Sequence, residues 1–193
     1  MTNELVVNIG IGNKVVRNDF DNMPIYREMI EDTDEYGNVF IRIPKFYIKK
    51  ELVNNVMTRQ ISKEKQKGYY LPQVFWDFEN KKELPYFLFG KYNASLSADG
   101  QRLESKKGVK PLVNKNIVNF RDYARANGKG YQQLDIHAVD VLQTLFYVEF
   151  GTLNSQSIHA GYTSGNTESL ESGFSDEILA SSGALSTSAT DGF

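Results

Sequence analysis

Residues 135–151 read DIHAVDVLQTLFYVEFG, and the arrangement of the rest of the chain turns on this stretch. Asp140, Gln143, Thr144 and Tyr147 recur at steps of three and four, and apolar residues from Ile136 to Phe150 fill the remaining circumference. That period predicts a helix with a narrow polar stripe, buried on most sides. Asp135 suits the N-cap, where a carboxylate accepts from the orphan amides of the first turn. Gly151 suits the left-handed residue after the last turn. A helix this apolar needs other elements wrapped around it, so it marks the core.

Composition bounds what those elements build. At 193 residues the chain is long enough for one main domain with a genuine core. Lys and Arg number 22 against 24 Asp and Glu, with no basic block, which excludes the electrostatic footprint of a nucleic-acid or anionic-membrane partner. No apolar run is long enough to insert into a membrane, and the N-terminus lacks signal-peptide features, so synthesis in the cytoplasm is expected. Cysteine is absent, which removes disulfides, thiolate metal sites and cysteine nucleophiles together. Tyr 11 and Phe 12 against Trp 1 suit strand packing and surfaces that are both sticky and wet.

Before the helix the chain reads mostly as strands. Residues 5–11 and 14–16 are β-branched runs either side of Gly12-Asn13, the pattern of a hairpin or extended arm. Gly10 and Gly12 make no dinucleotide fingerprint, because the third glycine is missing and a strand pattern follows. Residues 31–38, EDTDEYGN, read as a tight acidic turn; the glutamate that would close a calcium loop is replaced by Ile43. Residues 39–50, VFIRIPKFYIKK, alternate Phe40, Arg42 and Pro44 against Val39, Ile41 and Ile43, which predicts one long strand bent or bulged at Pro44. Residues 54–63 pair back on it through an Asn54-Asn55 turn.

Residues 69–78, YYLPQVFWDF, supply aromatics for packing or for stacking a ligand. Residues 84–96 predict a buried strand broken at Gly90, followed by a hairpin turn at Asp99-Gly100. Residues 106–115 form a solvated connector. Asn114 or Asn116 then caps a shorter helix with Ile117, Phe120 and Ala124 on its apolar stripe, ended by Asn127-Gly128. From Ser164 the chain is rich in Ser, Thr and Gly, and buries too little to offset its ordering entropy, with room for one packed turn around Ile178, Leu179 and Leu185. Three parts result: an N-terminal β arm or docking segment (1–33), a main domain (34–163) and a Ser/Gly-rich loop or tail (164–193).

The titratable residues assemble no catalytic constellation. His137 and His159 lie in different elements, no carboxylate spacing completes a ligand set, and no G-x-S-x-G elbow occurs, so neither a metal, a cofactor nor an enzyme is expected. His137, in the first turn of the helix, suits capping or packing. Glu149 sits about half a turn round from Asp140, among the apolar positions. A buried charge there needs a cation or backbone amides, and its expected role is to lock the core or to receive the Asn154-Ser155-Gln156 loop. Trp76, Tyr131 and Tyr162 are the candidates for a ligand-binding surface, since each pairs an apolar ring with a polar handle.

Four segments in order, IPKFYIKK (43–50), ELPYFLFGKYNASL (83–96), GVKPLVNKNIVNFRDYARANG (108–128) and LDIHAVDVLQTLFYVEFGTLNSQ (134–156), resemble a group of tailed-phage structural proteins found in tail fibres, tail tips or head fibres. The resemblance spans roughly residues 34–165. It implies an α+β, C-type-lectin-like domain, also seen in formylglycine-generating enzymes, with two helices flanking a small twisted antiparallel sheet. It further implies a virion protein, a symmetric oligomer with a trimer foremost, other virion proteins as partners, and a host surface glycan or protein as ligand. The chain departs from those enzymes in having no cysteine, and from calcium-dependent lectins in lacking Glu-Pro-Asn-type and Trp-Asn-Asp-type motifs. Members of the group continue into a Trp-Gly-Asn-rich closing strand pair, so the sequence is expected to be a portion of something longer.

Overall fold

A computed structural model describes residues 4–9, 20, 23–157 and 171–173. The architecture is mixed α+β, with small antiparallel sheets and two helices. One sheet joins β1 (Glu4–Ile9), β4 (Tyr47–Val53) and β5 (Val56–Ser62) in the order β1-β5-β4. A second joins β2 (Ile30–Thr33), β3 (Val39–Pro44) and β8 (Tyr86–Gly90) in the order β2-β3-β8. Two short ribbons pair β6 (Trp76–Asp77) with β7 (Lys82–Glu83), and β9 (Ser95–Leu96) with β10 (Leu103–Glu104). The helices are α1 (Ile117–Arg125) and α2 (Ile136–Phe150).

Local chemistry sets α2 where the sequence puts it. The Asp135 carboxylate accepts from the Ala138 amide at 2.9 Å, and Gly151 follows the last turn at φ 61°. The orientation of the helix differs from expectation in two places. Thr144, placed on the polar stripe, is fully buried, because its hydroxyl accepts from Arg59 at 2.8 Å. Ile136, placed on the apolar side, is 72% exposed.

The register of β4 on β5 explains the burial of Thr144. The Asn54-Asn55 turn has both residues at positive φ (51° and 62°), as two-residue hairpin turns require. Pairing then runs Leu52 with Met57, Lys50 with Arg59 and Ile48 with Ile61, all on one face. Ile48 and Ile61 are fully buried against Val141, Leu145 and Val148 of α2. Lys50 and Arg59 bond Asp140, and Leu52 and Met57 are exposed. The rest of the core is aromatic: Phe46 and Phe87 each meet Phe75 edge to face at 5.5 Å.

Several expectations are corrected. Residues 39–50 are two strands in different sheets instead of one bent strand. Pro44 has no N–H to continue the ladder, the Lys45 amide turns to Pro85 O at 2.8 Å, and Phe46 swings fully into the core. β8 is not buried; its outward face is open, with Leu88 43% exposed. β1 pairs with β5, while residues 10–11 and 14–16, on which the expected hairpin falls, lie outside the described residues. Asn116 caps α1, accepting from the Asn119 amide at 2.9 Å, but Ile117 is exposed and only Ala124 of the expected stripe is buried. The helices do not flank one sheet: α2 packs on β1 and β5, and α1 on β10.

The connector 106–115 runs largely exposed, as expected. Ser172 docks on it, its amide donating to Val109 O at 3.0 Å and its carbonyl accepting from Gly108 at 2.7 Å. That part of the Ser-rich segment is therefore seated on the domain. Ile178, Leu179 and Leu185 lie outside the described residues.

Candidate functional site on the outer face of the second sheet

Alternation along β3 divides the second sheet cleanly. Ile41, Ile43, Phe87 and Phe89 face the core. The opposite face carries the row Ile30–Arg42–Leu88, which the register sets side by side across three strands, with Tyr86 diagonal to Arg42. Ile30 is 51% exposed, and Tyr86 is also open to solvent.

Arg42 organises this face. Its guanidinium stacks on the Tyr86 ring at 4.4 Å and donates through Nη2 to Asp32 Oδ2. That hydrogen bond holds the Asp32 carboxyl below its ordinary range. Asp32 Oδ1 accepts from the Thr33 amide at 3.0 Å. Among the described residues, Arg42 Nε is buried without a hydrogen-bond partner. Donors, an acceptor, an aromatic ring and two aliphatic side chains thus lie together on a flat support, which is equipment for recognition.

Tyr131 closes one end of the face. Its ring meets Phe40 edge to face at 6.0 Å, and its hydroxyl donates to Asp34 Oδ2 at 2.8 Å. Burial, then the bond to Asp34, push its phenol up to about 12. Asp34 is the hub of the acidic turn: Oδ1 accepts from the amides of Tyr36 and Asn38, and Oδ2 also from Asn38 Nδ2. Asn38, fully buried, accepts in turn from the Ser105 amide at 2.9 Å. Tyr131 therefore borders the face while its polar end is spent on the fold.

The other sequence candidates fall elsewhere. Trp76 is half-buried in β6 opposite Glu83, in a different element from Tyr131. Tyr162 and His159 lie outside the described residues. His137 is exposed in the first turn of α2. Glu149 is half-buried instead of enclosed, and its charge acts on Tyr26. Burial first, and Glu149 second, hold the Tyr26 phenol well above its ordinary value, while its hydroxyl donates to Leu145 O at 2.7 Å. Ile30, Arg42, Tyr86 and Leu88 were not singled out from sequence. The alternation placing Arg42 opposite Ile41 and Ile43 was a legible signal, but the register that gathers the four was not.

A second set of exposed apolar side chains includes Leu52 and Met57, paired across the β4–β5 hairpin. Ile136, also exposed, sits one turn before Asp140 on the same side of the helix, and Asp140 pairs with Lys50 and Arg59 of the same hairpin. Among the described residues no group of three His, Asp or Glu is placed to hold a metal ion, and no helix is long and apolar enough to cross a membrane. Compared with known proteins, the chain matches no family model, no curated protein and no solved structure.

Proposed function

We propose that the chain is a structural protein of a tailed-phage virion, of the fibre or tail-tip type, whose C-type-lectin-like domain attaches the particle to the host cell surface. The sequence resemblance supplies the class. The observation that carries the attachment reading is the open Ile30–Arg42–Leu88 face with Tyr86, since exposed aromatic and arginine side chains on a rigid support are the groups on which recognition surfaces rely. The mechanism is binding without chemistry. Strands hold the groups in place, and a symmetric oligomer, a trimer foremost, multiplies weak single contacts on a repetitive surface. The protein is made in the host cytoplasm and carried in the virion beside other virion proteins.

The test is twofold. Antibody labelling of purified particles should place the protein on a fibre or tail tip, and the purified protein should adsorb saturably to host-strain cells. Absence from particles refutes the reading. A second reading, a collar, capsid-decoration or adaptor protein, is favoured by the exposed apolar side chains of Leu52, Met57 and Ile136, which suit assembly against another virion protein. Antibodies against the domain that leave adsorption intact but disrupt particles would decide for it.

A further inference from the structure

We infer that the open face around Arg42 is a saccharide subsite, taking a neutral pyranose ring whose C–H face lies on Tyr86 and Leu88 while its hydroxyls bond Asp32 and Arg42. The inference deepens the attachment reading and rests on it.

Charge selects the occupant. Asp32 and Arg42 form an electroneutral pair with both side chains about one-third exposed. An anionic ligand would meet the carboxylate and a cationic one the guanidinium, whereas a hydroxyl donates to the first and accepts from the second. The pair has capacity left for this. Arg42 makes one side-chain hydrogen bond among the described residues, to Asp32, and Asp32 Oδ1 takes only the adjacent Thr33 amide. Extent points the same way. A protein partner needs roughly 800 Å² a side built around an apolar centre, and here the ion pair sits in the centre, separating Ile30 from Leu88. One sugar ring needs only an apolar platform with polar groups at its rim; Leu88 and the part of Tyr86 that Arg42, stacked over one face of its ring, leaves exposed provide the platform. All these groups stand on paired strands, so little ordering is needed on binding.

The test measures adsorption of the purified chain to host-strain cells treated with periodate, which cleaves vicinal diols, or with protease. Tyr86→Ala and Arg42→Gln are compared with the wild type after their unchanged melting has been verified. Adsorption should be lost after periodate, survive protease, and weaken about tenfold in each variant, a loss of about 1.4 kcal/mol. Survival after periodate with loss after protease would overturn the inference in favour of a protein ligand and leave attachment standing. Periodate-sensitive adsorption unaffected by both variants would also overturn it, placing the site elsewhere. If the wild type does not adsorb at all, the attachment reading fails. Electrophoresis in gels containing dextran, mannan or galactan then decides the subsite: retardation abolished by Tyr86→Ala supports it, and unretarded migration in all three, or retardation by acidic alginate alone, overturns it.

Discussion

Asp140→Asn probes the joint that fixes α2 on its sheet. The carboxylate holds Lys50 Nζ at 2.5 and 2.6 Å and Arg59 Nη1 at 3.3 Å, and the substitution removes the charge while keeping an acceptor of the same size. Exposed ion pairs contribute about 0.2–1 kcal/mol each. Arg59 is only 14% exposed, which moves its pair towards the upper end. The two together give a loss of about 1–2 kcal/mol, and hence roughly 2–8 °C in Tm for a chain of this size. The pH dependence separates charge from shape. Burial pushes the Asp140 carboxyl up, but Lys50 and Arg59 more than reverse this and leave it below its ordinary value. A depressed folded pKa contributes stability that is present above the unfolded value of about 3.9 and lost as pH falls through the folded one. Urea unfolding of wild type and variant should therefore differ more at pH 7 than at pH 3. An equal difference at both pH values would refute the reasoning.

Three further perturbations follow from single contacts. Asn55→Gly, at φ 62°, should raise stability by about 0.5 kcal/mol, because glycine takes positive φ without steric cost; a lower Tm would count against the hairpin geometry. Tyr131→Phe should cost about 1 kcal/mol at pH 7 through the lost bond to Asp34. Since the phenol is pushed up to about 12, its contribution is intact below pH 10 and disappears as pH rises through 12, so the variant should show a smaller alkaline loss of Tm than the wild type. Val141→Ala, in a fully buried position, should cost about 2 kcal/mol by denaturant unfolding, and a cost under about 0.5 would contradict its burial.

Features set by neighbouring residues were legible in the sequence, and those set by distant ones were not. The N-cap of α2 and the acidic turn depend on side chains bonding backbone within a few residues, Asp135 to Ala138 and Asp34 to Tyr36 and Asn38, while the Asn54-Asn55 hairpin and the Gly151 end of α2 depend on local positive φ. The break at Pro44 was visible, but its outcome depended on Pro85, 41 positions on, which captures the Lys45 amide and sends β3 and β4 into different sheets. Thr144 looked like a surface residue because its partner, Arg59, comes from a strand 85 positions away. Asp140 and Thr144, which periodicity had assigned to the polar stripe, both tie α2 to the sheet through bonds to residues of β4 and β5.

Arg42 and Arg59 explain why the second sheet is the face to examine for a ligand. Each lies on the central strand of a three-stranded antiparallel sheet, each pairs with an aspartate, each stacks on a tyrosine at 4.4 or 4.8 Å, and each has a buried Nε without a hydrogen-bond partner among the described residues. They differ in where the partners come from. Asp140, Thr144 and Tyr147 of Arg59 belong to α2, so that arginine is spent on holding a helix. Asp32 and Tyr86 of Arg42 come from the two flanking strands of its own sheet, and its side chain is 34% exposed against 14% for Arg59. The chemistry that binds a helix on one sheet is thus assembled on the other while Ile30 and Leu88 remain in solvent. An ion pair built entirely from one sheet does not fasten that sheet to another element. Its position on an open face is what an incoming hydroxylated ring would use, and Tyr86→Ala tests that use with little cost to the fold.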